Sequence, residues 1–154
     1  MKFFLVLFLA VLGIAWNAEA RLGETKEKCE ERYGKPLKEE DVGDAHISAY
    51  KSQGYIFWIS FLNGKVDWMI ITKGKPWGDG ETDIFITKNA LREGFVLAKE
   101  QSDSTSRIYY ELSSGRLALY QILQQELSLY LSDKSVHRRN EQFNKRLAGE
   151  LEAF

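Results

Sequence analysis

The chain holds one cysteine, two histidines and two prolines in 154 residues. A single thiol excludes an internal disulfide, so the fold rests on its own core. Neither histidine sits in a metal-ligand or nucleophile spacing, and the few prolines exclude an extended proline-rich or collagen-like chain. Charge of one sign is also missing, since 21 Lys and Arg stand against 22 Asp and Glu for a net charge of -1. No overall field exists to hold nucleic acid, and nucleic acid is therefore not expected among the partners. What remains is a composition 44% hydrophobic, 28% charged and 13% aromatic, which is that of a packed domain.

One hydrophobic run stands out. Met1 and Lys2 precede an apolar segment, residues 3–16, interrupted only by Gly13, and Ala18-Glu19-Ala20 follows before the polar Arg21. A positive start, an apolar centre and a small-x-small site make a secretory signal peptide, with cleavage expected near Ala20. At about 1.5 Å per residue the run spans roughly 21 Å, short of the roughly 30 Å hydrocarbon core, so no stable membrane anchor is expected after cleavage. Cys29 lies well downstream of that point, which disfavours a lipoprotein. The expected location is secreted or periplasmic, with Cys29 either a buried small hydrophobe, the favoured case, or the seat of an intermolecular bond.

Beyond the signal, residues 21–133 read as an α+β domain and residues 134–154 as a C-terminal helical tail. Thr25 caps a short helix that Gly34 and Pro36 terminate. After an acidic linker at 39–41, strands are expected over 46–50 and 55–62, and Asn63-Gly64 closes a hairpin to the next run. A regular two-residue turn puts Phe57, Ile59, Phe61, Trp68 and Ile70 on one face, and Trp58 with Met69 on the other. A glycine-rich loop follows, then a second helix capped at Thr87 and carrying Leu91, Phe95 and Ala98, then strands at 107–112, 116–123 and 127–132. The expected fold class is thus a short helix followed by a three-stranded antiparallel meander, possibly repeated in tandem over 22–72 and 84–133, plus the C-terminal helix. Constant spacing between corresponding elements supports duplication. A single α+β domain with a six-stranded sheet reads equally well.

The string from Gly23 through Thr25 to Tyr33-Gly34-Lys35-Pro36, followed by a meander, is similar to the SmpA/BamE-like outer-membrane assembly proteins. Two such units in tandem resemble the β-lactamase inhibitory protein (BLIP-like) fold, and the opening string resembles small exported bacterial proteins of unassigned function. The resemblance implies export and a binding role without chemistry. The chain departs from both families in lacking a lipidation cysteine and internal disulfides, and no family binding residue carries over.

Chemistry is thinly represented. Cys29 with His46 or His137 is the one thiol–imidazole option, and neither histidine belongs to a motif. Asp79, Glu81 and Asp83 alternate as in a calcium loop, but position 12 of that loop is Ala90 where a bidentate Glu is needed. The phosphate-loop order is absent. No metal and no cofactor are expected. Trp77, set amid Gly and Pro, either folds back as a lid or meets a partner. In the tail, Val136, Phe143, Leu147, Leu151 and Phe154 form a narrow helical stripe suited to docking on the domain. The expected function is an exported, non-enzymatic protein-binding or envelope-assembly module that contacts another envelope or secreted protein through Trp77, Trp58 and Met69. The rivals are a small secreted hydrolase using acidic groups at 39–44 or 79–83 and a purely structural envelope protein.

Overall fold

The computed structural model describes residues 21–91 and 94–152, with the side chains of 100 and 146–152 left aside. The expected signal segment and cleavage point lie outside these residues. Helix α1, Lys26–Tyr33, starts after an extended Thr25 and stops at Gly34, whose φ of 81° only glycine adopts readily and whose N–H closes onto Glu30. Its inward side carries Cys29 and Tyr33, four residues apart and both buried.

Four antiparallel strands follow: β1 Lys38–Val42, β2 Ala45–Ser52, β3 Tyr55–Leu62 and β4 Lys65–Lys73. Helix α2, Glu81–Asn89, leads to β5 Val96–Leu97, a 3₁₀ turn, β6 Ser106–Glu111, β7 Arg116–Gln121 and β8 Glu126–Tyr130. Helix α3, Asp133–Glu152, closes the described chain. All eight strands form one antiparallel sheet in the order β1-β2-β3-β4-β8-β7-β6-β5. Strands β4 and β8 meet at its centre, pairing Met69 with Leu129 and Ile71 with Leu127.

This sheet corrects the expected fold. The chain is not a helix and a three-stranded meander repeated in tandem, and one continuous eight-stranded sheet fits neither an SmpA/BamE-like nor a BLIP-like architecture. The acidic stretch at 39–41 is an edge strand rather than a linker. Its charges suit an edge, where they oppose pairing with another chain. The second helix ends at Asn89 instead of starting near Thr87, because Thr82, Phe85, Ile86 and Asn89 supply its buried stripe. Of residues 94–97, assigned to that helix from sequence, 94–95 are irregular and Val96–Leu97 form strand β5.

The Asn63-Gly64 turn has both residues at positive φ, 51° and 73°, as a type I′ turn requires. Beyond Val66 the register slips. Phe61 pairs with Val66 but Ser60 pairs with Trp68, so Asp67 is an extra, bulged residue. From there on every side chain of β4 changes face relative to the expectation. Met69 and Ile71 join Phe57, Ile59 and Phe61 in the main core beneath α1 and α2. Trp68 groups with Ile47, Leu117 and Tyr130 on the opposite face, where Trp58, Ile70 and Val136 of α3 pack against them. Each of the fully buried apolar side chains contributes about 1.5–3 kcal/mol relative to exposure.

Candidate functional site

The bulge decides what the second face presents. Asp67, 2% exposed, turns toward α3, and its carboxylate accepts from Ser135 Oγ at 2.8 Å and from Arg138 Nε at 2.8 Å. Two turns along the helix, Trp68 Nε1 donates to Gln142 Oε1 at 2.9 Å. These bonds hold α3 over one part of the face and leave a cleft beside it of about 240 Å³. Its walls are mostly apolar: Val42, Ile47, Trp58, Trp68 and Ile70 from the sheet, and Phe143 from the helix. Polar groups sit at the rim. Arg139 approaches Glu126 to 3.8 Å, lies 5.5 Å from the centre of the Phe143 ring, and so braces that ring by a cation–π contact. Glu126 also accepts from Ser128 Oγ at 3.0 Å, and Glu40 meets Lys38 at 3.1 Å.

A concave apolar surface with a few placed polar groups can take an apolar side chain or small body and orient it. Of the three residues expected to bind, only Trp58 lies in this cleft. Met69 does not. The bulge sends it to the main core, fully buried against Ile59 and Leu129, and Trp68 takes its place. Trp77 lies on the other side of the sheet as a lid on the main core. Its ring centre is 5.7 Å from Tyr55, 5.8 Å from Phe85 and 6.1 Å from Tyr120. Its Nε1 donates to the Gln125 carbonyl at 2.8 Å and its backbone N–H to Gln125 Oε1 at 2.9 Å. Lys73, nearly buried, adds its ammonium 5.2 Å from the indole centre.

Of the groups offered to a hydrolase or thiol enzyme, Cys29, Glu39 and Glu81 are otherwise engaged. Cys29 is fully buried, and burial pushes its thiol up to about 12, away from the reactive thiolate. Glu39 is held down at about 2 by Lys26 and His46. Burial raises Glu81, but bonds from Lys73, Tyr55 and the Gly78 N–H outweigh it and hold the carboxyl at about 2. Both shifts run opposite to what a general acid needs. Among the described residues no group of three His, Cys, Asp or Glu is placed to hold a metal, and no helix is long and apolar enough to cross a membrane.

Glu126, Arg139, Gln142 and Phe143 were not legible as site residues, because they reach Trp58 only through strand and helix placement far along the chain. Phe143 carried one signal as a member of the helical stripe. It is half exposed and lines the cleft instead of docking fully, while Val136 does pack on the sheet.

No family model and no curated protein sequence matches the chain. Among the solved structures that align with part of the chain are two extracellular proteins. A cysteine-rich secretory protein from Staphylococcus aureus subsp. aureus Mu50 matches 73% of this chain and 45% of its own, at 7% identity and a TM-score of 0.43. An extracellular protein containing an SCP domain from Bacillus anthracis str. Ames matches 77% of this chain and 46% of its own, at 12% identity and a TM-score of 0.45. The chain thus spans less than half the length of either. At this level of likeness neither protein's activity transfers.

Proposed function

We propose that the chain is an exported, non-catalytic binding module that grips an apolar segment of another envelope or secreted protein in the cleft between α3 and the sheet. The observation behind this is the cleft itself: two tryptophans, Trp58 and Trp68, and Phe143 converge on a concave apolar surface of about 240 Å³. Aromatic anchors and the pockets that receive them dominate interface energies. Export rests on Ala18-Glu19-Ala20 after the apolar run, and N-terminal sequencing of protein from the native cell should find Arg21 first. The hydrolase reading is disfavoured by the depressed carboxyls at Glu39 and Glu81.

A photo-crosslinking residue at position 143 tests the proposal in the native envelope, with position 84, an exposed site on α2, as the control. One discrete protein adduct should form from position 143 alone, and Trp58→Glu should abolish it. Equal adducts from both positions, or an adduct indifferent to Trp58→Glu, would reject this cleft as the binding surface.

A further inference from the structure

On the face that α3 crosses, the register lines up one row of side chains at right angles to the strands: Ala49, Trp58, Ile70, Ser128, Leu119 and Ile108, from β2, β3, β4, β8, β7 and β6 in turn. Directly opposed residues point to the same side, so the row is continuous. With strands about 4.8 Å apart it runs roughly 24 Å. Helix α3 lies against the adjacent row, Ile47, Trp68, Tyr130 and Leu117, all buried. Of the three described helices only α3 packs here, since α1 and α2 cover the other face. Trp58, Ile70, Leu119 and Ile108 stay half-buried. The cleft takes in the first two, and the row continues past it across β7 and β6. A second apolar surface stands beside this row. Helix α3 docks through Ser135, Arg138 and Gln142, spaced three and four apart, which turns Val136 and Phe143, seven apart on a neighbouring stripe, to the side. Phe143 is half exposed and lines the cleft with Trp58 and Ile70.

We propose that the occupant of the cleft is an amphipathic α-helix of the partner protein, lying beside α3 along this row with an acidic residue at its β2 end, a step that rests on the cleft being the binding surface. Backbone chemistry selects a helix. All six strands under the row are paired on both sides, so the face has no N–H or C=O to offer. An extended segment lying flat there would bury its own backbone groups unmatched, whereas a helix satisfies them internally. The length agrees, because roughly 24 Å at about 1.5 Å per residue takes a helix of about 16 residues. Packed about 8–10 Å from α3, such a helix covers the apolar row and reaches the next one, which includes Ile56, Thr72, Glu126 and Gln121. Its apolar stripe meets Trp58, Ile70 and Leu119 from above and Phe143 from the side, as helix-in-groove recognition requires. Charge marks one end. Lys51, exposed, opposes Ile56 where that outer row begins on β2, so an acidic residue of the partner is matched there.

Crosslinking in the native envelope reads the shape of the occupant. Photo-crosslinking residues at position 56 on β3 and position 121 on β7 border the row three strand spacings apart, about 14 Å. Both should capture the protein that position 143 captures, at sites about ten residues apart in its sequence, whereas an extended segment would place them about four apart. Leu119→Lys and Lys51→Glu, each checked for folding by a thermal melt, should weaken capture from position 143 by at least about fivefold and about threefold respectively. The helix is overturned, with the cleft left standing, if position 143 captures a protein that positions 56 and 121 do not, if the two sites lie about four residues apart, or if either variant leaves capture unchanged. No adduct from position 143 would overturn the cleft as the binding surface and the helix with it.

Discussion

Replacing Asp67 by alanine should release α3 from the sheet. The carboxylate is 3% exposed and accepts from Ser135 Oγ and from both Nε and Nη2 of Arg138, whose side chain is 25% exposed. Losing a neutral hydroxyl bond costs about 1 kcal/mol, and losing charge-assisted bonds to a partly buried guanidinium costs about 1.5–3 kcal/mol. The full buried-pair penalty of about 3–5 kcal/mol is not reached, because Arg138 can turn toward water. We expect about 3 kcal/mol in all, which for a domain of this size lowers Tm by about 10 °C. Calorimetry measures it, and a red shift in tryptophan emission should accompany it as the Trp68–Gln142 bond loosens. Arg138→Met alone should cost more, about 3–5 kcal/mol, because it leaves the buried Asp67 carboxylate without its cation, and the double variant less than the sum, with a coupling of about 1.5 kcal/mol or more. A Tm loss under about 3 °C, or a coupling near zero, would show that α3 is held by its apolar stripe and that the latch is incidental.

Trp77→Ala should lower stability by about 2–4 kcal/mol, because it empties a ring site among Tyr55, Phe85 and Tyr120 and breaks two bonds to Gln125, while crosslinking from position 143 stays unchanged. The reverse pattern would return Trp77 to a contact role. The His46 cluster should give a shallow pH dependence. Asp41 and then Glu39 raise the imidazole above its ordinary value, so this stabilisation is complete below about pH 6.5 and is lost as pH rises through the folded-state value. Glu39 works in the other direction, its contribution present above about pH 4.5 and lost as pH falls toward 2. His46→Gln should flatten the alkaline limb of a Tm–pH curve, and an unchanged limb would dismiss the cluster as a contributor.

Local signals carried part of the architecture. Gly34 and Pro36 end α1 as capping chemistry requires, and Asn63-Gly64 makes its turn, because both depend on backbone preferences of the residues themselves, whereas Thr25 stands at the N-terminal boundary of α1 without a side-chain cap bond. The edge strand was hidden because Glu39 and Asp41 look solvated until Lys26 and His46, from other elements, come alongside. Helix α2 was hidden because its buried stripe includes Thr82 and Asn89, and Asn89 is accommodated there by partners far along the chain such as Leu22, whose N–H donates to its Oδ1 at 2.8 Å. Trp58 was visible as a large aromatic on the wetter face of a hairpin. The rest of the cleft was not, since Glu126 and Arg139 meet Trp58 only after β8 has docked on β4 and α3 has crossed the sheet.

The bulge ties these observations together, and its role can be separated from that of its side chain. In a regular strand Val66 and Trp68 share a face, yet here Val66 lies in the main core and Trp68 lines the cleft, because Asp67 stands between them without a partner on β3. Deleting Asp67 would therefore place Trp68 next to Val66 with ordinary alternation, and Trp68, Met69, Ile70 and Ile71 would keep the faces they now have. Deleting Met69 instead would reverse the faces of Trp68 and the residues before it or of Ile70 and those after it. The Asp67 deletion should fold, lose about the same 3 kcal/mol as Asp67→Ala, and keep Tyr130 against Trp68, whereas the Met69 deletion should fail to give a cooperative melt. If both deletions are equally disruptive, the bulge is needed for the twist and bend of β4 itself. If the Asp67 deletion is as described, the extra residue serves to carry a carboxylate to α3, and the placement of Trp68 in the cleft is encoded by the rest of the strand.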